Sequence, residues 1–292
     1  MDVVITYVNG LDPLWLADYA SCVGGDILSK RFRDWGTLKY VMRGIERHMP
    51  FIDNVILVVA RESQIPSWVN RENVRVVLHS EFIPQKFLPT FNGNTIETYL
   101  HNIPGLSEQY IYFNDDLFPV RDMTEESFFK DGKALVWCRK HVLALNMFKK
   151  ITRKSDSLAR KFSGLRPSPI FIRPQHTASA MIKSLCEEAF AIGRTELEDA
   201  ITPIRTAGSP CQYIYTDYMY HRGFTLSRKA SNRHFSLAVA NADKISAFLE
   251  NPDADMACIN DVQMSDEKFR SLNTAILAAF EKAFPAKSRF EI

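Results

Sequence analysis

The sequence predicts an α/β protein, with a mostly parallel sheet in its first half and a largely helical second part. Two observations carry this. Short aromatic and β-branched runs alternate with helix-patterned or turn-marked stretches as far as Asp116, as expected of parallel strands joined by crossovers. In the second half the apolar residues recur mainly at helical spacing. The division falls near residue 125, giving an α/β core over 1–125 and a mainly helical part over 126–292 that completes the same catalytic unit.

Asp2–Val8 (DVVITYV) is the first strand, and Asn9-Gly10-Leu11-Asp12-Pro13 is a strong turn signal. Nucleotide-binding α/β sheets begin in this way, although neither the Gly-rich dinucleotide fingerprint nor a P-loop is present. Trp15–Gly25 fits a short helix and loop. Next, Asp34 is placed to cap a helix whose apolar face is Leu38, Val41, Met42 and Ile45, and which ends in basic residues and Pro50. Asn54–Ala60 and Asn73–His79 are two further buried strands. A loop carrying Asn92 and Asn94 leads into a short helix over Thr95–Asn102.

Tyr110–Phe118 (YIYFNDDLF) is the fourth strand, and it stops on an Asn and two carboxylates. Two readings are open for Asn114-Asp115-Asp116. They form an ordinary turn, since Asn and Asp are turn residues, or a ligand site, since the carboxyl edge of such sheets is where ligands bind. Adjacent acids call for a cation, and a divalent metal on a phosphate is the commonest one.

In the second half, Asp122–Leu165 reads as helices with a basic loop. Thr177–Phe190 is a helix with Ala178, Met181, Ile182, Leu185 and Ala189 on one face. His176 precedes it, where the helix dipole would keep a neutral base available; such a residue also serves simply as a cap or surface group. Leu197–Arg205, Tyr213–His221, Ser236–Leu249 and Ser265–Phe284 are further helical stretches, the last stopped by Pro285. Cys258–Asp261 falls in a loop.

Of the 292 residues, 46% are hydrophobic and 24% charged, the balance of a soluble globular protein. The formal net charge of +2 provides no global field for nucleic acid. Basic residues cluster at Lys30–Arg33, Arg139–Lys140 and Lys149–Lys154; they are solvated faces or, around one cleft, a phosphate-binding rim. The five cysteines are odd in number and widely spaced, with no C-x-x-C pair, so a reducing cytosol is expected rather than disulfides or zinc. No signal peptide or membrane-spanning run is apparent, which leaves peripheral association with the inner membrane face.

Four phrases, DVVITYVNGLDP, RFRDWGTLKYVMRGIERHMPFIDNVILVV with QIPSWVN, LPTFNGNTIETYLHNIPGLSEQYIYFNDD, and CIND…FPAKSRFE, resemble the characteristic regions of the Stealth family. That family comprises bacterial capsular polysaccharide phosphotransferases and the animal UDP-N-acetylglucosamine phosphotransferase that tags lysosomal enzymes. The resemblance is dense from Asp2 to Asp116 and thinner beyond. It implies a sheet like that of nucleotide-sugar (GT-A, Rossmann-like) glycosyltransferases. It also implies a UDP-sugar donor, a glycan acceptor, Mg²⁺ or Mn²⁺, and transfer of sugar 1-phosphate to a hydroxyl with release of UMP. Asp2, Tyr7, Asn9 and Gly10 fall in the first region, which is expected to line the donor site. Asn92, Asn94, Glu97, Asn114 and Asp116 fall in the second, His176 and Arg205 in the third, and Asn260 and Asp261 in the fourth. The chain departs from the family at Tyr7, where many relatives carry Trp, and at His176-Thr177-Ala178, where relatives often carry His-x-Pro.

Phosphoryl transfer rests on positioning and electrostatics. Asp116, with Asp115, Asp261 or Asn260, would hold the metal through hard oxygen ligands. Arg205 would fork onto phosphate oxygens. His176 would take the acceptor proton, with Asp2 as the second candidate base. Arg31, Arg33 and Lys39 are phosphate contacts or surface charges, and Glu97 is a substrate ligand, a surface carboxylate or an ion-pair partner. The alternatives are a glycosyltransferase releasing UDP and a catalytically silent carbohydrate- or nucleotide-binding protein.

Overall fold

A computed structural model describes residues 1–24 and 32–292; Lys30 and Arg31 lie outside the described residues. The first half supplies β1 (Asp2–Thr6), α1 (Pro13–Cys22), α2 (Leu38–His48), β2 (Asn54–Val59), β3 (Val74–Leu78), α3 (Gly93–Tyr99), β4 (Gln109–Asn114) and β5 (Leu117–Pro119). The second supplies β6 (Phe129–Lys130), β7 (Lys133–Val136), β8 (Cys138–His141), α4 (Met147–Phe162), β9 (Phe171–Pro174), β10 (Ser179–Ile182) and α5 (Lys183–Asp199). It continues with α6 (Tyr213–His221), β11 (Thr225–Ser227), β12 (Asn232–Ser236), α7 (Ala242–Glu250), β13 (Met256–Asn260) and α8 (Asp266–Ala283).

The main sheet has the order β10-β4-β1-β2-β3. β1 to β4 are mutually parallel, as expected, and β10 joins the β4 edge antiparallel. Val3, Val4, Ile5, Leu57, Val58, Ile111 and Phe113 are completely buried. Burial on both faces is why these strands read as continuous apolar runs. The register pairs Thr6 with Asn114, so the ends of β1 and β4 meet at the carboxyl edge.

Five local expectations change. The stretch after His176 is first a strand, β10, and the helix begins only at Lys183. Its alternate residues fill the edge of β4, and this pairing outweighs the helical spacing read across it. Cys258–Asn260 is not a loop: it lies in β13, between β12 and β5. Asp34 does not cap α2, whose N-cap is Thr37; its Oδ1 instead accepts a bond from the Gly36 N–H at 2.7 Å. The helix expected over Ser236–Leu249 is confined to α7, and Leu197–Arg205 is the end of α5 followed by a loop. The second part contains the long helices α4, α5 and α8, interleaved with short strands that the sequence did not announce. The boundary at residue 125 is bridged by the β10–β4 and β13–β5 pairings.

Candidate active site

β4 ends at Asn114, and a two-residue turn, Asp115-Asp116, leads directly into β5. The segment is thus a turn, and its Asp115 and Asp116 line a cavity of about 150 Å³. Because β5 pairs with β13, the Ile259 N–H donates to the Asp116 carbonyl at 3.0 Å, which brings Asn260 and Asp261 to the same cavity. Tyr7 and Val8 line it from the end of β1, and Arg33 and Asp34 from the approach to α2. Four carboxylates, Asp34, Asp115, Asp116 and Asp261, thus face one small space.

Their electrostatics ask for a cation. Burial, then the charges of Asp116 and Asp34, push Asp115 up to about 7. Asp116 Oδ1 is buried and has no hydrogen-bond partner among the described residues. Asp34 Oδ2 accepts from the Tyr7 hydroxyl at 2.7 Å, and burial together with Asp34 raises the phenol well above its ordinary range. Asp261 is held by the Val262 N–H at 2.6 Å and by Arg33 at 3.3 Å, whose guanidinium lies 4.6 Å from the Phe269 ring centroid. Among the described residues, the side chains whose possible metal-ligand atoms all lie within 4.8 Å of one another are Asp116, His176 and Cys258, while the carboxylates of the cavity offer hard oxygen donors beside the orphaned Asp116 oxygen, the kind that Mg²⁺ or Mn²⁺ takes.

A different chemistry faces Asp116 from the other side. His176 Nε2 lies 3.8 Å from Asp116 Oδ2, and the Cys258 thiol donates to that same oxygen at 3.6 Å. Burial disfavours the His176 imidazolium, but its interaction with Asp116 and the charge of Glu97 override this, so its pKa is raised rather than lowered. The helix-dipole argument does not apply, because a strand follows. The Asn232 amide of β12 donates to the His176 carbonyl at 2.8 Å, and the His234 ring stands 6.5 Å from its ring.

Glu97 connects this histidine to the rest of the fold. It is buried and accepts from the Tyr112 hydroxyl at 3.1 Å and from the Gln212 N–H at 2.9 Å. Burial raises its pKa, while Arg205, these hydrogen bonds and His176 oppose the rise. Asn114 donates to the Tyr112 hydroxyl at 3.1 Å, so it supports this network. Asn92 caps α3 and donates to the Thr202 carbonyl at 3.1 Å, and Asn94 donates to the Ser209 carbonyl at 3.0 Å. These two side chains latch the loop that carries Arg205, whose guanidinium passes over Gly93, 3.1 Å from where a Cβ would stand.

Asp2 is the clear departure. It sits at the opposite end of β1, four residues or about 13 Å of strand from Thr6. Its oxygens accept from Asn54 and from the Ser107 N–H, both at 2.9 Å, so it ties strands together and is no base here. Asn9 forms a turn with the Leu11 N–H and exchanges bonds with Gln64. Gly10 lies against the Phe32 carbonyl, 2.3 Å from where a Cβ would stand, so only glycine fits there. Both shape the loop after β1 without lining the cavity. Sequence reasoning missed Asp34, Cys258 and His234. Cys258 carried a signal as the first residue of CIND and Asp34 as part of RFRDWG, whereas His234 carried none.

Open α/β sheets bind their ligands in the crevice at the carboxyl ends of the strands, and the clustered carboxylates and His176 lie at that edge. Residues 31–136 match the Stealth protein conserved region 2. The chain belongs to the Stealth family. The receptor polysaccharide phosphotransferase WefC of Streptococcus oralis is 40% identical over 140 residues, 45% of this chain and 42% of that protein. The exopolysaccharide phosphotransferase cps2G of Lactiplantibacillus plantarum is 28% identical over 326 aligned positions, covering all of this chain and 96% of that protein. The chain thus spans less than half the length of WefC and nearly all of cps2G. The galactosyltransferase LgtC, solved with donor and acceptor sugar analogues, aligns over 94% of this chain and 96% of its own, at 11% identity and a TM-score of 0.36, too distant a likeness to support a conclusion.

Proposed function

We propose that the protein transfers a hexose or N-acetylhexosamine 1-phosphate from a UDP-sugar to a hydroxyl of a glycan acceptor, releasing UMP, in capsular or exopolysaccharide synthesis. The observation that supports it most is the two-sided environment of Asp116, with carboxylates on one side and a histidine on the other. Family membership and the names of the relatives agree with this reading.

Asp116, with Asp115 or Asp261, would hold Mg²⁺ or Mn²⁺, with Asn260 lining the same cavity. The ion would neutralise the donor pyrophosphate and stabilise the charge that develops on departing UMP. His176 Nε2 takes the proton of the attacking hydroxyl, and Asp116, 3.8 Å away, favours the imidazolium that results. Arg205 forks onto phosphate oxygens from the loop latched by Asn92 and Asn94. Tyr7 bounds the cavity and orients Asp34.

The test incubates the protein with a panel of UDP-sugars, a glycan acceptor and Mg²⁺, scoring UMP against UDP and following phosphorus NMR. A new phosphodiester signal with UMP, abolished by chelation and restored by Mg²⁺, is the expected result. UDP without a phosphodiester would make the protein a glycosyltransferase instead, and donor binding without any turnover would make it a silent binding protein.

A further inference from the structure

Between Gly132 and Cys186 the chain carries twelve lysines and arginines and one acid, Asp156, although the whole protein is only +2. That acid is buried and bonded to His221 at 2.7 Å and Arg160 at 3.3 Å. The surface contributed by this stretch is therefore almost purely cationic.

β8 and β9 form a two-stranded antiparallel ladder running from Cys138 and Pro174 at one end to His141 and Phe171 at the other. The far end opens into the loop before α4, where Val142, Leu143 and Leu145 are 55%, 63% and 78% exposed, and Ile170 stands out beside them. Lys140, Lys150, Arg153 and Lys154 are exposed on the adjoining strand and helix. Four large aliphatic side chains in water at one tip, bordered by cations, need a partner that is apolar and anionic at once. A soluble polyanion would engage the cations and leave the aliphatics wet. An anionic bilayer satisfies both.

We propose that this tip docks the protein onto an anionic lipid bilayer, the aliphatic side chains entering the headgroup boundary and the lysines and arginines lying against lipid phosphates. The proposal stands on exposure and charge alone and is independent of the reaction catalysed. It has a geometric consequence for the site. β9 leads back from the tip to His176, five residues beyond Phe171, or about 17 Å if extended. Docking there sets the candidate site close enough to serve a substrate confined to the membrane surface.

Flotation of the full chain with vesicles tests this. Binding is expected to phosphatidylcholine–phosphatidylglycerol vesicles and not to phosphatidylcholine alone, and it should weaken with salt. Leu143→Asp with Leu145→Asp should weaken it at least ~10-fold. Lys150→Glu with Lys154→Glu should weaken it ~25-fold or more, from ~5-fold per basic residue near an anionic surface. Leu145→Ser, which removes apolar surface without adding charge, is the second variant, and unchanged Tm values certify the folds. Failure to bind the mixed vesicles overturns the proposal. So does binding that the lysine reversals abolish but the leucine changes leave intact, the pattern of a site for soluble polyanions.

Discussion

His176 is held by three separate elements: its carbonyl by Asn232 of β12, its ring by Asp116 after β4, and its charge by Glu97 of α3. A residue fixed in this way is suited to a defined proton transfer. His176→Ala should lower turnover by ~10²–10⁴-fold with a smaller change in donor KM, measured by steady-state UMP release. Wild-type turnover would remove it from the mechanism. Arg205 stands on a loop with its guanidinium over Gly93 and its charge acting on Glu97, and the phosphate contact proposed for it depends on the geometry of its fork. Arg205→Lys should therefore lower kcat/KM by at least ~10-fold while leaving Tm unchanged, and an unaffected rate would return it to the surface. None of these contacts could be read from spacing. His176 and Asp116 are far apart in the chain, and their pairing came within reach only through family resemblance. Asp2 shows the converse: it lies in a family motif, yet its work is to join β1 to β2 and to the loop before β4.

At the scale of elements, α2 is the brace behind the carboxylates. Gly44 lets it approach β5 so closely that a Cβ would stand 2.5 Å from the Pro119 carbonyl. Gly44→Ala should destabilise the fold by about 1–3 kcal/mol despite the better helix former, because backbone must move; a denaturant melt reads this. The preceding residue, Arg43, forks onto Glu291 at 2.8 Å through both Nε and Nη2, and its remaining nitrogen donates to the Phe284 carbonyl at 2.6 Å. The closing FPAKSRFE phrase is thus a clamp that holds the chain end and α8 against α2. Burial raises the Glu291 pKa, but Arg43 and the Ser288 bonds outweigh it, and the net shift is downward. A depressed carboxylate contributes stability above its unfolded pKa and loses it as pH falls through the folded one. Glu291→Gln should cost about 3–5 kcal/mol at neutral pH, and the gap to the parent should close below pH ~4.5. A gap that persists at low pH would assign the effect to packing. Neither role could be read beforehand. The helix itself was legible from its apolar stripe, but not what its glycine and arginine touch. Asp34, a plausible cap by position, turned out to face the cavity.

Across the whole molecule, β1, β2 and β4 were legible because they are buried on both faces and read as apolar runs, and β3, at the sheet edge with Arg75 exposed, was legible from its valines. β10 and β13 were not. They are short strands whose pairing is made by distant residues, and SAMI continues smoothly into a helical pattern. Yet these two strands build the site, since β13 brings Asn260 and Asp261 to Asp116, and β10 follows His176. They also make the halves interdependent. Until residue 182 is in place, β4 has a bare edge of unpaired backbone beside Tyr110, Ile111 and Tyr112, a row suited to templating against another chain. A fragment covering 1–125 should therefore self-associate in light scattering, and adding the remainder in trans should not restore a monomer. The sheet is finished from outside its own stretch of sequence, so the first half is not a transplantable module, and insertions between residues 125 and 179 should delay the closing of its edge during synthesis.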